Sequence, residues 1–281
     1  MPARPRFPGR LGAVALLCLL ACSRAAFAEA APLRLGIMPF NSTLALLKTH
    51  QPLIAHLERS LGRRVVVHSA ADYFTHINQL LAGDYDLAIT GPHFGAMAAE
   101  RGMRLLFRYT AELRLLVVVR NDAAIERASD LRGRRLALPS RLSLASLGGV
   151  RWLAENGLQP GRDFRMIEYS SHGAAVAAVA AGEADAAITA HTPLRQVPED
   201  ILAQTRVLAS NVSVPHVMTL AHERLGAAEI DRIRGALAAF PATAAGQAFF
   251  RDTAYRGYVE VSAADLAELR PFVALTVNMM R

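Results

Sequence analysis

From residue 32 onward the chain alternates short apolar runs with longer stretches whose apolar positions recur at helical spacing. The runs fall at 33–37, 65–68, 87–90, 113–119, 136–138, 164–169 and 186–189, with 207–208 and 212–219 after them. Runs of this length, bounded by Gly, Pro, Asn and Asp, read as strands, and the intervening stretches read as helices, so the pattern is that of an α/β protein. One unit occurs twice. Leu81-Ala-Gly-Asp-Tyr-Asp86-Leu-Ala-Ile-Thr90 is matched by Ala180-Ala-Gly-Glu-Ala-Asp185-Ala-Ala-Ile-Thr189. In each copy an amphipathic stretch stops at a glycine, an acid follows, a second acid comes two residues later, and an apolar run ends in threonine. That is a helix, a glycine C-cap, a tight turn and a buried strand with a loop at its carboxyl end. Ligands of open α/β sheets bind at the carboxyl ends of strands, so two copies imply two similar lobes sharing a crevice. Common αβ geometry alone could also produce such a match, but here glycine, both acids and Ala-Ile-Thr recur in register.

The long apolar run 113–119 is expected to carry the chain from the first lobe to the second, and 207–208 with 212–219, around Pro215, to bring it back. Residues 32–118 plus 219–281 then form one lobe and 121–212 the other. After Glu223 the pattern holds three helices and one short strand near 258–261. No low-complexity tether separates the halves.

Residues 1–28 read as a secretory leader: basic residues through Arg10, an apolar run over 11–21, and Ala26-Phe27-Ala28 before Glu29. The run is too short to span a bilayer. A competing cut at Leu19-Leu20-Ala21-Cys22 would leave a lipid-anchored Cys22. Either cut places the mature chain outside the cytoplasmic membrane, in the periplasm. Setting aside Arg4, Arg6, Arg10 and Arg24 lowers the formal charge from +7 to +3. That balance is too weak and scattered for nucleic-acid binding. With 52% hydrophobic residues the chain can bury real cores. Both cysteines, Cys18 and Cys22, lie in the leader, so the mature chain has neither a disulfide nor a cysteine nucleophile. A monomer is expected, without cofactor.

Candidate chemistry gathers where strands end and helices begin. Asn41-Ser42-Thr43, Asp72-Tyr73, Pro92-His93, the 140–143 stretch and Ser170-Ser171-His172 each supply a helix start directly after a strand. Helix N-termini offer N–H donors and a favourable dipole to an anion. Ser and Asn are also simply good caps. The candidate ligand-binding residues are Asn41, Ser42, Tyr73, Thr90, His93, Ser140, Ser143, Ser171, His172, Thr189 and His191. Arg141 is the nearest candidate counter-charge. His93, His172 and His191 lack metal-ligand spacing, so no metal site is expected. Neither a nucleophile elbow nor His-Glu-x-x-His is present, so no catalytic residue is assigned and the chain is read as a non-enzyme. Asp86 and Asp185, at strand starts, fit turn chemistry.

Leu35-Gly36-Ile-Met-Pro39, Leu57-Glu-Arg-Ser-Leu-Gly62, Ala71-Asp72-Tyr73, Asp86-Leu-Ala-Ile-Thr-Gly91-Pro92, Asp130-Leu-Arg-Gly133, Ser171-His172 and Ala178-Val-Ala-Ala-Gly182-Glu-Ala-Asp185 stand in an order and spacing that resembles the periplasmic substrate-binding proteins of the phosphate/phosphite/phosphonate family. The resemblance implies a two-lobed periplasmic-binding-protein fold of type II with two crossover strands. It also implies a ligand trapped by hinge closure and a ligand-contacting histidine at His172. The function implied is capture of a small oxyanion for the membrane permease of an ABC importer. The alternative is a sensor of the same fold, reporting an oxyanion such as arsenite to a membrane histidine kinase. The family's serine-rich loop is thinned here to Ser140, Ser143 and Ser146, and Gly173 replaces an acid. Thr189, His191 and Thr192 stand where aminophosphonate binders carry an acid, which argues against an aminoalkyl ligand.

Overall fold

The computed structural model describes residues 31–208 and 212–281. The leader expectations, cleavage after Ala28 or lipidation at Cys22, lie outside the described residues. The first part of the chain supplies β1 (Leu33–Ile37), α1 (Thr43–Leu61), β2 (Val65–Ser69), α2 (Tyr73–Leu81), β3 (Leu87–Thr90), α3 (Pro92–Ala99) and β4 (Met103–Tyr109). The middle supplies β5 (Leu113–Arg120), β6 (Arg135–Leu138), α4 (Leu144–Glu155), β7 (Arg165–Glu168), α5 (His172–Ala180), β8 (Ala186–Ala190), α6 (His191–Leu194), α7 (Glu199–Leu202), β9 (Thr205–Leu208) and β10 (Ser213–Val214). The last part holds β11 (Met218–His222), α8 (Ala227–Ala239), α9 (Ala244–Thr253), β12 (Tyr258–Val259) and α10 (Ala263–Met279).

Two six-stranded sheets result. The first runs β12-β4-β11-β3-β1-β2, and the second runs β10-β5-β8-β6-β7 with β9 also on β5. Their centres are built alike. β1 is parallel to β2 and β3, and β6 is parallel to β7 and β8. Each parallel set is then closed by an antiparallel strand, β11 beside β3 and β5 beside β8. Strand β5 follows the first sheet in sequence and completes the second, and β11 follows the second and completes the first. The chain therefore crosses between the sheets at 110–112 and again at 215–217.

The repeated turn has a shared physical cause. Gly83 and Gly182 both adopt φ 77, a left-handed conformation that glycine takes without strain, and so end α2 and α5. The acid that follows locks the next strand. Asp86 Oδ2 accepts the Arg34 N–H at 2.8 Å while Arg34 O accepts the Asp86 N–H at 2.8 Å. Asp185 Oδ2 accepts the Arg135 N–H at 2.7 Å while Arg135 O accepts the Asp185 N–H at 2.9 Å. Burial alone would raise both carboxyl pKa values. For Asp86 the Arg34 N–H and the Arg224 guanidinium outweigh that cost, and for Asp185 the Arg135 side chain and N–H do the same. A continuous apolar core, including Leu35, Ile89, Leu115 and Ile188, runs through both sheets.

Four readings of the sequence need correction. The run 113–119, expected to carry the chain between lobes, is strand β5 and lies wholly in the second sheet, because it pairs with β8, β9 and β10, and the crossing is the 110–112 segment before it. Strand β4 was not anticipated, and it pairs with both β11 and β12. Residues 207–208 belong to β9, on the edge of β5, rather than to the return crossing. Arg141 does not serve the strand ends as a counter-charge: its guanidinium Nε sits 2.6 Å from Glu168, in an exposed pair.

Because Asp86 is nearly buried and holds both a backbone N–H and Arg224, Asp86→Ala should destabilise the protein by about 2–4 kcal/mol. Asp185, whose partner Arg135 is 44% exposed, should cost only about 1–2 kcal/mol as Asp185→Ala. Urea unfolding of the two variants should show that order, and equal losses would refute the assignment.

Candidate functional site

Parallel pairing sends the carboxyl ends of β1, β2, β3, β6, β7 and β8 toward helix starts, and four of the helices that follow carry a side-chain N-cap. Ser42 accepts from the Ala45 N–H, Asp72 from Thr75, Ser143 from Ser146 and Ser171 from Ala174. Helix α3 uses Gly91 and Pro92 instead, since proline lacks the N–H that would go unused there. These caps satisfy some first-turn N–H groups and leave the remainder oriented along the helix axes.

Between the two sheets these starts enclose a cavity of about 30 Å³. Tyr73 of α2, Gly91, Pro92 and His93 of α3, Ser143, Leu144 and Ala145 of α4, and His172 of α5 line it. Met38, Phe40, Leu113, Ala190, Thr192, Pro193, His216, Val217 and Tyr255 complete the wall. Among these described residues there is no lysine, arginine or carboxylate. A space this small suits a few heavy atoms, far below the several hundred Å³ that a drug-sized ligand occupies.

The polar groups of the wall are held tightly. His93 Nε2–H donates to Leu142 O at 2.9 Å, across the divide between the sheets, which leaves Nδ1 as an acceptor. That Nδ1 and the Tyr73 hydroxyl are buried without a hydrogen-bond partner among the described residues. His216 Nδ1 accepts the Val217 N–H at 2.8 Å, so its Nε2–H faces Thr192 Oγ1 at 3.1 Å and frees the threonine proton to donate. His172 Nδ1 lies 3.0 Å from Thr189 Oγ1. Two further bonds join the halves: Asn41 Nδ2 to Gln196 Oε1 at 2.8 Å and His172 N–H to Phe40 O at 3.3 Å.

Burial removes charge from the site. Desolvation lowers His93 to about 4, and His172 and His216 to about 3, so all three imidazoles are neutral near pH 7. Burial likewise pushes the Tyr73 phenol far above its ordinary range, which keeps it a donor.

Of the candidate residues, Tyr73, His93, Ser143 and His172 meet at the cavity wall. Thr90 and Thr189 are fully buried one layer behind, bonded to His76 and His172. Ser171 caps α5, and Asn41 reaches Gln196. Ser42 is exposed and caps its own helix, and Ser140 is half-buried, its hydroxyl accepting the Leu142 N–H at 3.2 Å. His191 lies outside the cavity, its Nδ1 accepting the Arg114 N–H. His216 and Tyr255 were not singled out. A histidine beside Pro215 within an apolar crossing was the available signal for the first, and nothing local marks the second.

A family model described as the periplasmic substrate-binding protein of a phosphonate ABC transporter matches residues 35–266. Among solved structures, the chain is similar to a binding-protein component of an ABC phosphonate transporter from Pseudomonas aeruginosa: TM-score 0.78, 18% identity, 89% of each chain covered. It is equally similar to PhnD1 from Prochlorococcus marinus in complex with methylphosphonate: TM-score 0.78, 14% identity, covering 88% of this chain and 98% of that one. The alkanesulfonate-binding protein SsuA of Xanthomonas axonopodis pv. citri, bound to MOPS, follows at TM-score 0.61 and 21% identity, covering 89% and 94%. At these identities the structures establish the two-sheet binding-protein fold.

The buried histidines make stability depend on pH with a defined sign. Each takes a proton below 6.5 when unfolded but only near 3 to 4 when folded, and His50 and His76 behave as His93, His172 and His216 do. Between about pH 4 and 6.5 the unfolded chain therefore binds more protons, and stability rises with pH. The urea midpoint should be lower at pH 5 than at pH 7, and an unchanged midpoint would contradict this burial.

Proposed function

This chain belongs to the periplasmic substrate-binding proteins of phosphonate ABC transporters, and from that premise we propose that it captures a small tetrahedral oxyanion of the phosphate, phosphite or phosphonate class and presents it to a membrane permease. The cavity between the sheets is the proposed site. The lobes of this reading follow the two sheets, so the bounds expected from the sequence, 32–118 plus 219–281 and 121–212, move to 32–109 plus 218–281 and 113–214, hinged at the crossings 110–112 and 215–217. The observation that carries the proposal is a small cavity fringed by helix N-termini, on whose wall a buried tyrosine hydroxyl and a buried imidazole nitrogen have no hydrogen-bond partner among the described residues. Buried polar groups normally find partners, and an oxyanion with one acidic proton would supply both.

The chemistry sorts the ligands. Tyr73, Thr192 and the first-turn N–H groups of α4 and α5 would donate to oxyanion oxygens, while His93 Nδ1 can only accept. A monoanion retaining a P–OH matches that set, whereas a dianion would set an oxygen lone pair against the nitrogen. An aminoalkyl ligand would bring a cation to a wall with no carboxylate. The similarity to PhnD1, whose complex holds methylphosphonate, supports the same class.

Two measurements test the reading. Calorimetry across methylphosphonate, phosphite, phosphate, aminoethylphosphonate and sulfate should find a ligand among the first three. Tyr73→Phe should weaken that ligand about ten- to a hundredfold, the worth of one hydrogen bond to a charged group, without lowering the melting temperature of the free protein. If no oxyanion binds, or if Tyr73→Phe leaves affinity untouched, the proposed site is wrong. With saturating methylphosphonate, solution scattering should show a smaller radius of gyration than without it, because trapping the ligand draws the lobes together.

A further inference from the structure

A second concavity, of about 530 Å³, lies beside the crossing at 110–112 and shares no lining residue with the cavity described above. Three guanidinium groups reach it from elements far apart in sequence: Arg114 at the start of β5, Arg195 at the end of α6, and Arg256 between α9 and β12. Fifteen other arginines of the described chain have a carboxylate within ion-pair distance, among them Arg108, Arg135 and Arg224. These three have none among the described residues, which they share with eight other exposed arginines such as Arg59 and Arg270, and Glu112, which also lines the concavity, is engaged by Arg108 at 3.4 Å.

We propose that this concavity is a second anion site, built for a small oxyanion carrying two or more charges, such as a condensed phosphate. Its floor is His191. The Nδ1 atom accepts the Arg114 N–H at 3.1 Å, so the neutral ring carries its proton on Nε2 and offers a donor beside the three cations. The guanidinium groups lie close enough to act on that ring: after burial, the charges of Arg114, Arg256 and Arg195 are what depress its pKa. The backbone holds the cluster at a cost. Arg256 has φ 66, in the left-handed region where a residue with a Cβ is strained. Bonds from Ala111 N–H to Tyr255 O and from Thr110 N–H to Gly257 O fix the residues on either side of it.

Charge and size choose the ligand. Arginine grips phosphate oxygens with paired N–H donors, and three positive charges are balanced better by an oxyanion carrying two or more negative charges than by a singly charged one. All three side chains are exposed, so solvent screens each contact and affinity must come from several at once. The volume is in the range of small-molecule sites.

Calorimetry of the purified protein with pyrophosphate at low ionic strength tests the site. One pyrophosphate should bind per chain, and binding should persist when methylphosphonate is saturating. Arg195→Gln and Arg256→Gln should each weaken it at least tenfold with unchanged melting temperature, since both residues are exposed. Tyr73→Phe should leave it unchanged, which separates this site from the cavity between the helix starts. The proposal is overturned if millimolar pyrophosphate gives no binding. It is equally overturned if Arg256→Gln has no effect, or if Tyr73→Phe weakens pyrophosphate as much as the arginine variants do.

Discussion

Everything at the centre of this molecule depends on a carboxylate standing in for a strand neighbour at the foot of each parallel set. Asp86 and Asp185 accept the N–H of Arg34 and Arg135, and each returns its own N–H to the same residue's carbonyl. That two-way bond sets the register of β3 on β1 and of β8 on β6. A one-residue slip would turn every side chain to the opposite face. With register fixed at the foot, Thr90 and Thr189 arrive at the far end in equivalent places, each hydroxyl meeting a buried histidine. The helix starts beyond them can then face one another across a cavity only a few atoms wide.

Closeness of that kind has an electrostatic consequence. A wall without lysine or arginine cannot neutralise an anion by contact charge, so it must do so with dipoles and hydrogen bonds. Those are stronger in a dry space than in water. Burial also suppresses the ionisation of the histidines there. His93 is instead neutral and spends its one proton on Leu142, on the opposite half. Its role becomes geometric: it ties the halves together and turns an acceptor toward the cavity.

Much of the fold was legible because its cues are local. Glycine followed by an acid is turn chemistry, and the short apolar runs read as strands whatever surrounds them. Strand β4 was missed because Met-Arg-Leu-Leu-Phe-Arg-Tyr is made largely of good helix formers, and it becomes a strand by pairing with β11, more than a hundred residues later. At the site, Ser, Asp and Thr next to helix starts could be read as caps. Which caps would meet could not, since Ser143 turns into the cavity while Ser42 faces solvent. The part played by His216 was hidden for a related reason: it comes from the return crossing, and only tertiary packing brings it to the cavity wall and lowers its pKa by burial.

The two proposed sites would meet an anion in different ways, and they differ in what each could discriminate. The arginine concavity meets charge with charge in contact with water. Its contacts are screened within about 10 Å at ordinary salt, so it can count charges but can measure shape only loosely. The cavity between the helix starts has no lysine, arginine or carboxylate in its wall. Each donor or acceptor there must be matched, and a ligand with one proton too many or too few leaves a buried atom unpaired, at about 1–3 kcal/mol. Selectivity among oxyanions of equal size therefore belongs to the neutral site. In the proposed site its instrument would be the pairing of a donor, Tyr73, with an acceptor, His93 Nδ1, which a partly protonated oxyanion satisfies and a fully ionised one does not.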